Sequence, residues 1–458
     1  MNDKDRKIRN LICVVLTCLC LTGLTLFLSY FYSSKNGAIH RERYYRQKEA
    51  VDVLFAGTSH AYGAYFPMTL YEDFGISAFN LATAGERFAV TYYSIKDAFR
   101  YHVPKILVLD CHAFEYGNEK NDPEVPTRCH GVFDGFRMGP VKVEAIKDVL
   151  SDHPETWNEY FFPLYYYHNR WNALERQDFE DPVKNCYGKG GRNICGVAGI
   201  EAVIPAHVDE SDYTAADDYS TQYAEKIVEL CRDKGVDVYF MNIPFPCDED
   251  TQRVLNRAYP LAQKYDNCEY INLMNHVEEM DFDYVTDMAD LTSHANLSGG
   301  IKVSHFIGEY LSERYDLTDH RTEGGVWDKD YVWYTQYLDR LRKENPVSCF
   351  EYLSMLYSPD YSYAVYVKDM SVSDKDGLIK RLVRDDMEVS SAQETGSYFC
   401  SNLSGEVTEQ RDLSIAETGL PEDILDQVLP EAQVVIAVRN NVTGDLVEVA
   451  NWTDQGRL

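Results

Sequence analysis

Basic residues are scarce in this chain. Its 44 Lys and Arg stand against 74 Asp and Glu over 458 residues, a formal net charge of −30. Such a surface repels a phosphate backbone, so no nucleic-acid partner is expected. The acidic excess reads as a well-solvated surface. Repeated C-x-x-C spacing is lacking, and with it the pattern of a structural zinc site. The 12 cysteines suggest no disulfide framework. Cys13, Cys18 and Cys20 fall in an apolar N-terminal run and an odd number remains. Cys186 and Cys195 lie close in sequence but read as loose thiols. Cys129-His130 has no partner cluster, so neither a metal nor a cofactor is expected. Internal repeats and low-complexity tracts are also missing. With 45% hydrophobic and 13% aromatic residues, the chain has enough apolar matter for large cores. Its length suits two or three domains.

Charge is missing altogether from Leu11 to Tyr32. At helical rise this run spans about 33 Å, close to the thickness of a hydrocarbon core. No small-x-small cleavage site follows in Ser29-Tyr30-Phe31-Tyr32-Ser33, and neither Cys18 nor Cys20 sits in a lipobox. An uncleaved anchor is therefore expected over 11–32, not a signal peptide. Lys4, Arg6, Lys7 and Arg9 argue for a cytoplasmic tail at 1–10. Lys35, Arg41, Arg43, Arg46 and Lys48 argue the other way. The short tail and large body favour a single-pass cell-membrane protein with its main body extracellular. Residues 33–50 read as a stalk.

Beyond the stalk, strands and helices alternate. Val51-Asp-Val-Leu-Phe-Ala-Gly, Ser77–Leu81, Lys105-Ile-Leu-Val-Leu-Asp, Val236-Asp-Val-Tyr-Phe-Met and Tyr270-Ile-Asn-Leu read as strands. Ala89–Tyr101, Ser220–Lys234 and Gly300–Tyr315 have helical spacing. This alternation predicts βαβ units and a mostly parallel sheet between helical layers, an α/β/α domain over 51–322. The pattern fails over about 116–214. This insertion holds an aromatic run from Tyr160 to Trp171 and a glycine-rich loop, Gly188-Lys-Gly-Gly191, and long insertions of this kind are often lids. From 323 to 458 two helical stretches precede short strands. Val434–Arg439 and Asp445–Ala450 flank Asn440-Asn-Val-Thr-Gly444 as a hairpin. This part reads as a small accessory α+β domain without a chemistry motif.

Two loops carry chemistry. Ala56-Gly57-Thr58-Ser59-His60 ends the first strand, and in open α/β sheets ligands bind beyond the carboxyl ends of strands. Asp290-Leu-Thr-Ser-His294-Ala-Asn-Leu-Ser-Gly299-Gly300 precedes the last helix of the α/β domain. A serine hydroxyl is a weak nucleophile until an imidazole takes its proton, and a carboxylate fixes that imidazole. A G-x-S turn or a lone histidine is usually an ordinary cap or surface residue. Their coincidence at these two places favours a site. Within the aromatic run, Arg170 with Tyr167 and Trp171 reads either as a clamp for an anionic or sugar substrate or, more simply, as the core of a lid with a snorkelling arginine.

Gly57-Thr-Ser59 after the first strand, and Asp290…His294-x-Asn-x-x-Gly299 before the last helix, resemble the SGNH/GDSL hydrolase superfamily over roughly Val51 to Leu317. The resemblance implies a three-layer, flavodoxin-like fold, Ser59 as nucleophile, His294 as base and Asp290 as orienter, with Asp287 as fallback. It implies an oxyanion hole from the backbone N–H groups of Ser59 and Gly85, the latter in Asn80-Leu-Ala-Thr-Ala-Gly85. Two features depart from the family pattern. Three residues separate Asp290 from His294 where the family has two. The third block lacks its asparagine and reads Leu109-Asp110-Cys111-His112, leaving His112 or the insertion to supply a third donor. The anchor and body together are similar to bacterial surface proteins of D-alanyl and exopolysaccharide acetyl transfer. The expected activity is thus a serine esterase or O-acyltransferase on an acylated glycan or cell-envelope polymer. The alternative is a catalytically weak module that partners a membrane-bound O-acyltransferase.

Overall fold

The structure, a computed structural model, describes residues 3–33, 38–117, 122–174, 176–179, 188–192, 194, 196, 204–290, 293–344, 348–356, 361–372, 375–384, 396–441 and 443–458. Cys186 and Cys195 lie outside the described residues. The described cysteines are free thiols.

Five strands form a parallel sheet: β1 (Val53–Ala56), β2 (Ala78–Asn80), β3 (Ile106–Asp110), β4 (Asp237–Asn242) and β5 (Cys268–Asn272), in the order β2-β1-β3-β4-β5. Phe55 lies opposite Val108, and Val108 opposite Tyr239. Helices cover both faces, so β1 and β3 are buried at every residue and read as continuous apolar runs without alternation. Helices Phe88–Ala98 and Tyr219–Arg232 pack together on one side, and Pro67–Phe74 and Leu297–Arg314 on the other. The expected three-layer α/β/α architecture is present. The chain order reverses between β1 and β3, and the carboxyl ends at such a reversal are where open α/β sheets place their ligand crevice.

A second sheet has six strands: β6 (Tyr361–Val367), β7 (Tyr398–Ser401), β8 (Thr408–Arg411), β9 (Val434–Asn440), β10 (Leu446–Thr453) and β11 (Gly456–Arg457). All its pairings are antiparallel, in the order β11-β10-β9-β6-β7-β8. The hairpin read at 434–450 is β9–β10, with a register irregularity between Leu446 and Glu448. Val365, Ile436 and Trp452 belong to one buried cluster of this sheet, and Tyr366, Val435 and Ile424 to another.

Three expectations need correction. The stretch read as a stalk holds a helix, Ala38–Arg46, seated on the α/β body. Its Tyr44 is buried in the main core, and its buried Arg41 lies against Ser94 and over the Phe136 ring. The basic residues there were legible as charge, but their amphipathic partners Tyr44 and Tyr45 decide their fate. The break near 322 is also not a clean border. Helix Val326–Glu344 buries Trp327, Tyr334 and Leu338 against Phe66, Met68, Tyr71 and Leu297 of the α/β domain. Finally, the glycine-rich loop is not part of a lid. The Lys189 carbonyl accepts from Asn80 N–H at 2.8 Å, continuing the edge of β2. Gly190 has a positive φ, and any Cβ there would collide with the Asn80 carbonyl. The buried Lys189 ammonium meets Asp330 and Gln47 and lies 4.3 Å over the Trp327 ring. It latches the insertion to elements on both sides of it.

Among the described residues one helix, Arg6–Tyr32, is long and apolar enough to cross a membrane, and none of its most apolar stretch is buried in the body.

Candidate active site

The reversal point of the parallel sheet gathers the residues that the two motifs singled out. Ser59 opens the short helix Ser59–Ala64 directly after β1, with Thr58 as its N-cap. The turn before it is held from β3. Asp110, the last residue of that strand, accepts from Thr58 N–H at 2.5 Å, from the Thr58 hydroxyl at 3.0 Å and from His112 N–H at 2.8 Å. Gly57 has φ +137°, and a Cβ there would run into the Asp110 carboxylate. Glycine is thus required at this close approach. Asp110 is fully buried. Burial pushes its carboxyl up to about 6, while the N–H groups of Thr58 and His112 pull it back.

His294 comes from the far side of the sheet, in the loop before helix Leu297–Arg314. A bridge between Met288 and Ala295 pinches this loop at its base, and the Ala289 N–H donates to the His294 carbonyl at 2.7 Å. Asp290 and His294 therefore face each other across the loop. One Asp290 oxygen accepts the N–H of Ser293 at 2.7 Å, and the other meets His294 Nδ1 at 2.7 Å. The three-residue spacing is accommodated in this way. Asp287, the fallback orienter, is buried elsewhere. It accepts from Lys302 Nζ at 2.9 Å and from the Ser298 hydroxyl at 2.7 Å. Asn296 caps the following helix, accepting from Gly299 N–H at 3.1 Å while its amide donates to the Thr286 carbonyl. The His-x-Asn-x-x-Gly spacing is in part a helix start that fixes where His294 points.

Across the crevice His294 Nε2 lies 2.9 Å from Ser59 Oγ. An ionised carboxylate only accepts, so the Asp290 contact assigns the proton to Nδ1 and leaves the Nε2 lone pair for the serine hydroxyl. Two further ties hold the serine helix to the helix behind His294. Ser304 accepts from Phe66 N–H at 2.7 Å and donates to the Ala64 carbonyl at 2.9 Å.

Beside this line, His60 and His112 stack with ring centroids 3.9 Å apart, and Phe245 meets both edge-on. Burial lowers the pKa of both imidazoles, that of His60 strongly, and the neighbouring imidazoles add to the effect. Neutral rings at this place suit a substrate wall better than a charge clamp. His112 stands directly after β3, beside the turn that carries Ser59. Gly85 lies in the loop after β2, which the Thr83 N–H ties to the Gly57 carbonyl at 3.1 Å.

Arg170 and Trp171 are not brought to the crevice. Arg170 donates to the Tyr32 carbonyl at 2.6 Å and pairs with Asp178 at 2.8 Å, at the end of the apolar helix. Its place among aromatic residues gave no information about which surface the insertion would meet. Asp110 and Phe245 were not singled out from the sequence. For Asp110 a signal existed: an acid closing the apolar run Ile106–Leu109 must be buried and must find N–H donors.

No protein-family model and no curated protein matches this chain. Among solved structures, one from Streptococcus pneumonia, provisionally described as a platelet activating factor, is 11% identical. The match covers 66% of this chain and 98% of that one, with a TM-score of 0.29. A gut microbial diltiazem-metabolizing enzyme is 12% identical over 57% of this chain and 47% of its own, with a TM-score of 0.21. Both scores are low, and neither likeness carries an argument.

Proposed function

We propose that this protein is a membrane-anchored serine esterase or O-acyltransferase of the SGNH/GDSL kind, acting on acyl groups of a cell-surface glycan or envelope polymer. The observation that carries the reading is the continuous line Ser59 Oγ, His294 Nε2, His294 Nδ1, Asp290, with steps of 2.9 and 2.7 Å. Ser59 Oγ attacks an ester carbonyl as Nε2 takes its proton. The tetrahedral oxyanion is assigned to the N–H groups of Ser59 and Gly85. Collapse expels the alcohol, which takes the proton back from Nε2, and leaves an acyl-serine. Water or a glycan hydroxyl, deprotonated by the same nitrogen, then releases the acyl group. The apolar N-terminal helix would hold this body at the cell membrane, facing outward.

The test is labelling of the full chain with a fluorophosphonate probe. Labelling is expected in the wild type and lost in Ser59→Ala and His294→Ala. A wild-type chain that stays unlabelled while folded would leave the non-catalytic partner reading, which the missing third-block asparagine favours. Labelling that survives Ser59→Ala would overturn the nucleophile.

A further inference from the structure

The apolar helix does not leave the body at its end. Its outer half runs alongside the insertion. Arg170 caps it at the Tyr32 carbonyl, and the Phe31 and Phe179 rings meet edge to face at 5.4 Å. Further down, a groove of about 720 Å³ lies between Leu21, Leu26 and Tyr30 of the helix and Met138, Phe162 and Pro163 of the body. From Leu21 to Tyr32 the helix rises about 17 Å, roughly half of a 30 Å hydrocarbon core. If Leu11–Tyr32 spans the bilayer, the body elements beside Leu21 and Leu26 stand below the outer boundary of that core.

Those elements carry the side chains that such a position requires. Phe162, Tyr165, Trp171 and Phe179 are 62%, 66%, 66% and 67% exposed, and Met138 is exposed beside them. Tyr165 and Trp171, at one end of a lipid-length helix, match the aromatic belt of membrane interfaces, where an apolar ring and a polar edge are both satisfied, and Phe162, Phe179 and Met138 add purely apolar contacts. Charged side chains line the same groove, Arg46 and Arg137, both paired with Glu42, together with Asp134 and Lys142, and the arginines are long enough to carry their guanidinium groups from the groove to the headgroups. Buried ring contacts fix the collar to the body. Tyr160 and Tyr166 sandwich His130 at 4.2 and 3.8 Å, and Tyr167 donates to Asp134 at 2.5 Å.

We infer that this aromatic collar is a second membrane contact, seated in the interface of the outer leaflet, with lipid acyl chains filling the groove beside Leu21 and Leu26. The occupant is the phospholipid bilayer itself. The helix then acts as more than a tether, because the collar fixes the height and tilt of the body above the surface. The inference rests on the anchor reading, and its test separates the two.

The full chain is reconstituted into phosphatidylcholine–phosphatidylglycerol vesicles whose acyl chains carry bromine either near the glycerol or near the terminal methyl. Flotation reports the anchor and tryptophan quenching reports the collar. The shallow bromines are expected to quench a component of the emission that is absent in Trp171→Phe, and Phe162→Asp is expected to weaken that quenching without loss of flotation. Protein that floats but whose Trp171 component is untouched by either bromine position overturns the collar and leaves the anchor standing. The collar would then be a face for a protein partner. Protein that does not float overturns the anchor, and the collar with it.

Discussion

The two sheets of this molecule are built from similarly apolar strands, yet only one gathers chemistry. In the parallel sheet all carboxyl ends point the same way, so the loops after β1, β3 and β5 converge on one crevice. Ser59, Asp110 with His112, and His294 arrive there from distant parts of the sequence. In the antiparallel sheet successive strands reverse, and their ends scatter to opposite edges. Its buried polar groups serve their own turns. Asn451, for example, accepts from Leu429 N–H and donates to the Gln427 carbonyl. The short edge strand β8 is polar and largely exposed. Parallel pairing is thus what turns ordinary strand ends into a site.

The strongest way to break this comparison is at the crevice. Ser59→Ala and His294→Ala are each expected to lower turnover of a chromogenic ester by roughly 10⁴–10⁶-fold, and the double variant by no more than either. Asp290→Asn should cost less, about 10⁴-fold, at the bottom of that range, since it orients instead of reacting. Thermal melting should be nearly unchanged in all of these. By contrast, Asp287→Asn should lower the melting temperature, because Lys302 Nζ would lose its buried counter-charge and be left with the exposed Asp281 carboxylate at 3.3 Å. If Asp287→Asn removes activity at unchanged stability, the assignment of the orienter is wrong.

Cutting between the two sheets should have the next largest effect. A chain ending at Thr322 exposes Phe66, Met68, Tyr71 and Leu297, which helix Val326–Glu344 covers. It is expected to aggregate, whereas a chain ending at Glu344 should stay soluble and react with the fluorophosphonate. Solubility and labelling of the two fragments decide the matter. A fragment ending at Thr322 that is as soluble and as well labelled as the longer one would restore the border at 322.

At the strand end itself, Asp110→Asn puts an amide NH₂ against one of the backbone N–H groups that the carboxylate accepts. A loss of about 1–3 kcal/mol is expected, with reduced kcat as the nucleophile turn loosens, read by chemical denaturation and ester kinetics. The pH dependence has a definite sign. Burial holds the carboxyl of Asp110 at about 6 and that of Glu86 at about 7, both above their ordinary values. The folded chain therefore binds more protons than the unfolded one between about pH 4 and 7. The stability these groups contribute is full at the acid end and is lost as pH rises through that window. Glu86→Gln should flatten the slope, and an unchanged slope would remove Glu86 from it. The smallest effect is expected from Arg170→Ala. With Arg170 bonded to Tyr32 and Asp178, kcat/KM for a small soluble ester should not change. A raised KM would bring Arg170 back to the substrate.

What the sequence determined by itself was local. Apolar runs of four or five residues specify strands buried on both faces, a charge-free run of lipid length specifies the helix, and the residues flanking His294 specify a helix start. Each follows from neighbours a few positions apart, where period, capping and turn chemistry operate. Gly57 and Ser59 were legible because a tight strand-to-helix turn constrains its own residues. Tertiary structure decided everything that depends on which surfaces meet. Ser59 and His294 are 235 positions apart, and their contact exists because parallel pairing puts the loops after β1 and β5 at the same, carboxyl end of the sheet. Helix Ala38–Arg46 joined the body instead of a stalk because its Tyr44 found Phe79 and His102. Lys189 became a latch because Asp330, from beyond the apparent domain border, lies within reach of its ammonium. Arg170 went to the apolar helix and not to the substrate crevice for the same reason. A long side chain among aromatics fits many surfaces, and only packing over the whole chain selects one.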